Sequence, residues 1–267
     1  MIIILLSILF SCSSETEIPG YQFDNFQNTP VWDLAKAVKE NNVRKMKQIH
    51  ESNLTNIDYK DPFYQKTLLA LAIVNKKDMA FLELLKLGSN PNEIIGKKNE
   101  ATPLLCALDF QENCNLFYID ALLKYGADPN LKIEHKDQDI LFEGGIPLFH
   151  AIGKTDNNGG DCINVIDLLL KKGAKIDTCY NNPITQRCES IITKCLETDS
   201  MELLKYFIIE KKIEIPNIVY STGGININTM KTYSLVEILN TEDFNYENYP
   251  TAKKAKDDIL DYLKNDK

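Results

Sequence analysis

Histidine is scarce in this chain, with three among 267 residues, and there is a single tryptophan. The seven cysteines include no Cys-x-x-Cys pair and the histidines stand apart from them, which excludes a zinc site of ordinary spacing. Positive charge is also short. Lys and Arg number 30 against 38 Asp and Glu, and the net charge of -8 argues against binding nucleic acid through its phosphates. No glycine-rich phosphate loop, nucleophile elbow or paired-carboxylate motif occurs, and the acidic residues are scattered as solubility alone requires. Asp156-Asn157-Asn158-Gly159-Gly160-Asp161 is rich in oxygen donors but lacks the alternating spacing and distal glutamate of a calcium loop. The expectation is a non-enzymatic protein with no metal and no cofactor.

What is present begins with the N-terminus. Met1 to Phe10 is an uncharged apolar run, too short to span a bilayer and of the length of a secretory h-region, although no Lys or Arg precedes it. Leu9-Phe10-Ser11-Cys12 follows and resembles the lipobox of bacterial lipoproteins. That resemblance implies a signal peptide over 1–11, lipidation at Cys12 and membrane contact through acyl chains only. The expected location is the bacterial cell envelope, facing the periplasm or the outer surface. Residues 12–30, polar and broken by Pro19-Gly20, read as a tether.

Beyond it, one phrase recurs. Leu84-Leu85-Lys86-Leu87-Gly88-Ser89-Asn90-Pro91-Asn92 is followed by Leu122-Leu123-Lys124-Tyr125-Gly126-Ala127-Asp128-Pro129-Asn130. Leu169-Leu170-Lys171-Lys172-Gly173-Ala174-Lys175-Ile176-Asp177 is the third copy. Each reads as the end of an apolar helix, a glycine that supplies a left-handed stop, and an outward turn. Recurrence at a few tens of residues means stacked units rather than one mixed core. Ahead of each copy lies a second apolar set at helical spacing, such as Thr67 to Ile73, joined to its partner by a short polar break.

Thr67-Leu68-Leu69-Ala70-Leu71-Ala72, Thr102-Pro103-Leu104-Leu105-Cys106-Ala107 and Ile146-Pro147-Leu148-Phe149-His150-Ala151, with these exits, resemble the ankyrin repeat. Ser190 to Ile208 aligns as a degenerate unit in which Cys195 holds the small position of Ala72, Ala107 and Ala151. Trp32 to Ile49 fits an N-terminal cap, and Ser234 to Leu239 with Ala255 to Leu263 a C-terminal one. The resemblance implies an all-α solenoid of stacked helix-turn-helix units with protruding β-hairpin fingers, about six units over 31–264.

Loops tolerate change in such an array, so function is sought where the units depart from the pattern. The turn between paired helices is lengthened at 109–115 and 153–161, and the finger at 131–145, where early alternation reads as a short hairpin. Ankyrin partners commonly lie against fingers and first helices. The resemblance thus implies a partner surface from Tyr59, Lys60, Phe63 and Tyr64 on the first finger and Lys97, Lys98 and Asn99 on the second. Glu134, His135, Lys136 and Phe142 extend it on the third, and Tyr180 and Asn181 on the fourth. Cys106 and Cys195 fall on packed helix faces. Two disulfides remain open, between Cys114 and Cys162 at one edge and between Cys179 and Cys188 flanking a finger. The expected function is a monomeric protein–protein interaction module. A narrower alternative is an immunity-type inhibitor that neutralises an envelope-targeted toxin or effector.

Overall fold

A computed structural model describes residues 18–52, 56–97, 100–110, 115–133, 145–154, 162–176, 180–181, 188–222 and 231–265. Within them the chain is all-α. Helices come in pairs: α1 (Trp32–Lys39) with α2 (Val43–Ser52), α3 (Leu68–Val74) with α4 (Asp78–Lys86), α5 (Pro103–Phe110) with α6 (Leu116–Lys124) and α7 (Pro147–Gly153) with α8 (Ile163–Lys171). Then α9 (Ile191–Glu197) pairs with α10 (Met201–Lys205), which runs on into a π-helical turn at Tyr206–Glu210. Last come α11 (Leu235–Leu239) and α12 (Pro250–Asn265), the latter longer than its apolar pattern suggested. Two short antiparallel hairpins interrupt the helices: β1 (Tyr180–Asn181) with β2 (Cys188–Glu189), and β3 (Tyr220–Thr222) with β4 (Lys231–Tyr233).

The first helices α1, α3, α5, α7 and α9 each contact the next, which forms one row. Every residue of α3 is buried, as follows for an apolar helix flanked by helices on both sides. The second helices form the other row. There α2 contacts α4, α6 contacts α8 and α10 contacts α12. Phe81 of α4 meets Tyr118 of α6 edge-on at 4.9 Å between centroids, and the Tyr118 hydroxyl donates to Asp78. The Tyr206 hydroxyl makes the equivalent bond to Asp167 of α8. At the N-terminal end of this row α2 buries only Met46, because its outer face meets solvent.

Local chemistry explains the ends of the helices. Thr67 and Asn115 accept hydrogen bonds from Ala70 N and Phe117 N, and Ser190 and Ser234 form reciprocal capping boxes. Pro103 and Pro147 open their helices, where no hydrogen bond is lost. The three phrase glycines, Gly88, Gly126 and Gly173, have φ of 96°, 94° and 91°, the left-handed stop that the sequence predicts. After them the chain closes identically: Ser89, Ala127 and Ala174 donate to the carbonyls of Leu84, Leu122 and Leu169 at 2.9–3.0 Å. The inner turns agree as well. Asn42 donates to Ala37 O, Lys77 to Ala72 O and Ser200 to Cys195 O, at 2.8–2.9 Å, so Cys195 does occupy the small-residue register.

The asparagine that ends each of the first two phrases also bonds to the turn that follows it. Asn92 Nδ2 donates to Gly126 O at 2.8 Å, while Asn92 Oδ1 accepts from Asp128 N at 2.7 Å. Asn130 repeats both bonds with Gly173 O and Lys175 N, each at 2.8 Å. One amide thus staples each finger turn to the next.

Residues 18–30 differ from the expected tether. Tyr21, Phe23 and Phe26 are buried, Phe23–Phe26 forms a 3-10 turn against α1, and the Asn75 amide donates to Tyr21 O at 2.9 Å. The aromatics decide this, since burying three large rings outweighs the polar character of the residues around them. Ile133 N donates to Gly145 O at 3.4 Å.

Candidate functional site

A cleft of about 620 Å³ lies where the fingers meet the first helices. It is built from the first finger upward. Asp61 is fully buried, and its Oδ1 accepts from Phe63 N at 2.9 Å and Tyr64 N at 2.7 Å, its Oδ2 from Lys66 N at 2.7 Å. Three backbone amides gathered on one carboxylate fix the tip. They hold Phe63 and Tyr64, 62% and 48% exposed, at the rim of the cleft. Gly96, Lys97, Glu100 and Ala101 supply the second finger, where Ile95 and Ala101 pair as a bridge.

The floor comes from α5 and α7 and from the N-terminal segment. Tyr21 stacks edge-on against Phe110 at 5.1 Å, and its hydroxyl lies 3.8 Å from Cys106 Sγ. Lys66, only 8% exposed, places Nζ 5.0 Å from the centre of the Tyr21 ring. Burial lowers the Lys66 pKa below the usual lysine range, and burial raises both the Tyr21 hydroxyl and the Cys106 thiol, the thiol to about 11. Cys106 is therefore held as a neutral thiol at pH 7 and is no nucleophile. Opposite, His150 Nδ1 lies 2.7 Å from Asp109 Oδ1; a carboxylate only accepts, so that nitrogen donates. His150 thus has a polar partner in the cleft. No group of His, Cys, Asp and Glu among the described residues has the arrangement of a metal site.

The residues expected at a partner surface divide. Phe63, Tyr64 and Lys97 line the cleft together. Tyr59 is half-buried against the core. Lys60 is spent within the molecule, with Nζ 2.6 Å from Glu93 Oε1 and 2.7 Å from Ile94 O, which ties the first finger to the second. Tyr180 and Asn181 form β1, paired in register with Glu189 and Cys188. Lys98, Asn99, Glu134, His135, Lys136 and Phe142 lie outside the described residues, as do Cys12 and the oxygen-rich turn 156–161. Of the cysteines, Cys106 and Cys195 are free and fully buried. Cys162 is disulfide-bonded; Cys114 and Cys179 are outside the described residues, and Cys188 lies on β2.

Tyr21, Asp61, Lys66, Asp109 and Phe110 were not legible as site residues. Only Asp61 carries a local signal, as the first residue of an Asp-Pro turn. No protein-family model matches the chain, and no curated protein matches it. No described helix is long and apolar enough to cross a membrane.

Proposed function

We propose that this chain is an ankyrin-type repeat protein that binds a protein partner along its fingers and first helices, without catalysis and as a monomer. The phrase glycines at near-identical φ, the shared closing hydrogen bonds and the amide staples between successive units support the repeat reading. The observation that carries the binding reading is the cleft with Phe63 and Tyr64 held open at its rim by Asp61. Large rings fixed in place lose little entropy when a partner covers them, which suits them as anchors.

Lipidation of Cys12 would put this surface at an envelope membrane, with residues 1–11 removed. The short apolar run and the Leu9-Phe10-Ser11-Cys12 pattern support that. Affinity capture from detergent-solubilised membranes, with wild type and the Phe63→Ala/Tyr64→Ala pair, tests the surface. Loss of the captured protein in the double variant is the expected result, and full retention refutes the assignment. Cys12→Ser is expected to release the protein from the membrane fraction. Persistence there removes the lipid anchor from the reading.

A further inference from the structure

The cleft holds a cation with no hydrogen-bonded counter-charge. Lys66 is 8% exposed, and its three N–H donors have no hydrogen-bond acceptor or ion-pair partner among the described residues. The carboxylate nearest in sequence, Asp61, is saturated by the backbone amides of Phe63, Tyr64 and Lys66 itself. Asp109, across the cleft, is paired with His150. The face of Tyr21 lies 5.0 Å from the ammonium, and the Asp61 carboxylate and Cys106 thiol act on it through space without hydrogen-bonding it. The ammonium opens onto the cleft, where an acceptor brought to it gains a charge-assisted hydrogen bond.

We propose that the cleft is a binding site for a carboxylate carried beside an apolar side chain on a peptide segment, with Lys66 as the residue that receives the carboxylate. The rest of the lining fits that chemistry. Tyr21, Leu105 and Phe110 offer an apolar floor, and about 620 Å³ accommodates one or two side chains. A dianion is disfavoured, because Glu100 and Asp109 line the same space and one buried ammonium balances one charge. A peptide is favoured over a small free acid by the rim. Phe63 and Tyr64 keep large exposed faces that an occupant of the floor alone would leave wet, whereas a chain leaving the cleft passes over them.

The inference rests on the reading of this face as a partner surface, and its test needs no knowledge of the partner. The full chain is titrated at pH 7 with N-acetyl-Leu-Phe, with its C-terminal amide and with 3-phenylpropionate, by calorimetry or amide chemical shifts. The acid is expected to bind about tenfold or more tighter than the amide, with 3-phenylpropionate weaker than the dipeptide. Lys66→Met is expected to abolish the preference for the acid over the amide. Equal binding of acid and amide by wild type, or no binding of either, overturns the proposal without any variant. Phenylpropionate binding as tightly as the dipeptide overturns the peptide source. Failure of the Phe63/Tyr64 capture with the acid preference intact removes the protein-binding reading and leaves the carboxylate site standing.

Discussion

Removing one amide staple should loosen one junction by a calculable amount. In Asn92→Ala the bond from Nδ2 to Gly126 O and the bond from Asp128 N to Oδ1 both vanish. Each is worth roughly 0.5–1.5 kcal/mol net, and the site is exposed, so the freed carbonyl and amide return to water rather than to a dry interior. The expected loss is therefore near the lower half of the sum, about 1.5 kcal/mol. For a chain of this size that is a fall in melting temperature of roughly 3–6 °C. Urea unfolding followed by circular dichroism should show a lower midpoint with an unchanged slope. Hydrogen exchange gives a sharper readout. The Asp128 amide should lose protection, while the Ala127 amide, bonded to Leu122 O, should keep it. Asn130→Ala should act alike at the following junction, where Lys175 N is the amide exposed. A stability loss below about 0.3 kcal/mol, or Asp128 protection untouched, would refute the view that these asparagines couple the units.

Asp61→Asn leaves one acceptor oxygen for three backbone amides, and should cost about 2–3 kcal/mol by thermal unfolding; an unchanged midpoint would show that the carboxylate does not hold the finger tip. Lys66→Met should raise stability by roughly 1 kcal/mol at pH 7, since removing a buried unpaired charge outweighs its contact with the Tyr21 ring. Because the folded pKa of Lys66 lies below the ordinary 10.5, the unfolded chain binds the proton more tightly and wild-type stability gains as pH rises between the two values. The advantage of Lys66→Met should thus shrink as pH rises towards 10.5; an advantage that grows with pH contradicts the assignment. Alkylation of the denatured, unreduced protein should label Cys106 and Cys195 but spare Cys162 until reductant is added, as read by peptide mass mapping.

Which of these features the sequence could disclose depended on how far apart the partners lie. Gly88, Gly126 and Gly173 act within their own turns, where an added Cβ would meet nothing and only the backbone conformation matters, so their pattern was readable. Cys195 was placed by register alone, because the small position is set by the helix it sits on. Lys60 looked like a surface anchor for the same reason that it is not one. A long cation on a finger is equally suited to a partner and to Glu93 in the neighbouring finger, and only the folded distance chooses. Tyr21 is the extreme case. Nothing nearby in sequence marks it as buried, since the groups that bury it, Lys66, Cys106 and Phe110, are supplied by two later units.

That last residue changes what the fingers can recognise. With the N-terminal segment laid over the start of the groove, Tyr21 forms part of the cleft floor and covers the Cys106 thiol. It also shields Lys66 from water without giving it a hydrogen-bonded anion. The segment therefore shortens the surface that a bare row of first helices would present and concentrates charge at one point of it. A recognition surface of scattered exposed lysines would bind acidic partners loosely and lose them in salt, because exposed pairs are screened. A shielded ammonium beneath an aromatic rim discriminates more, since an occupant that brings an apolar group without an acceptor leaves that charge without a hydrogen-bonded partner. On the proposed binding reading, selectivity would arise where the N-terminal segment and the first finger meet, and the regular helices would hold that meeting place rigid.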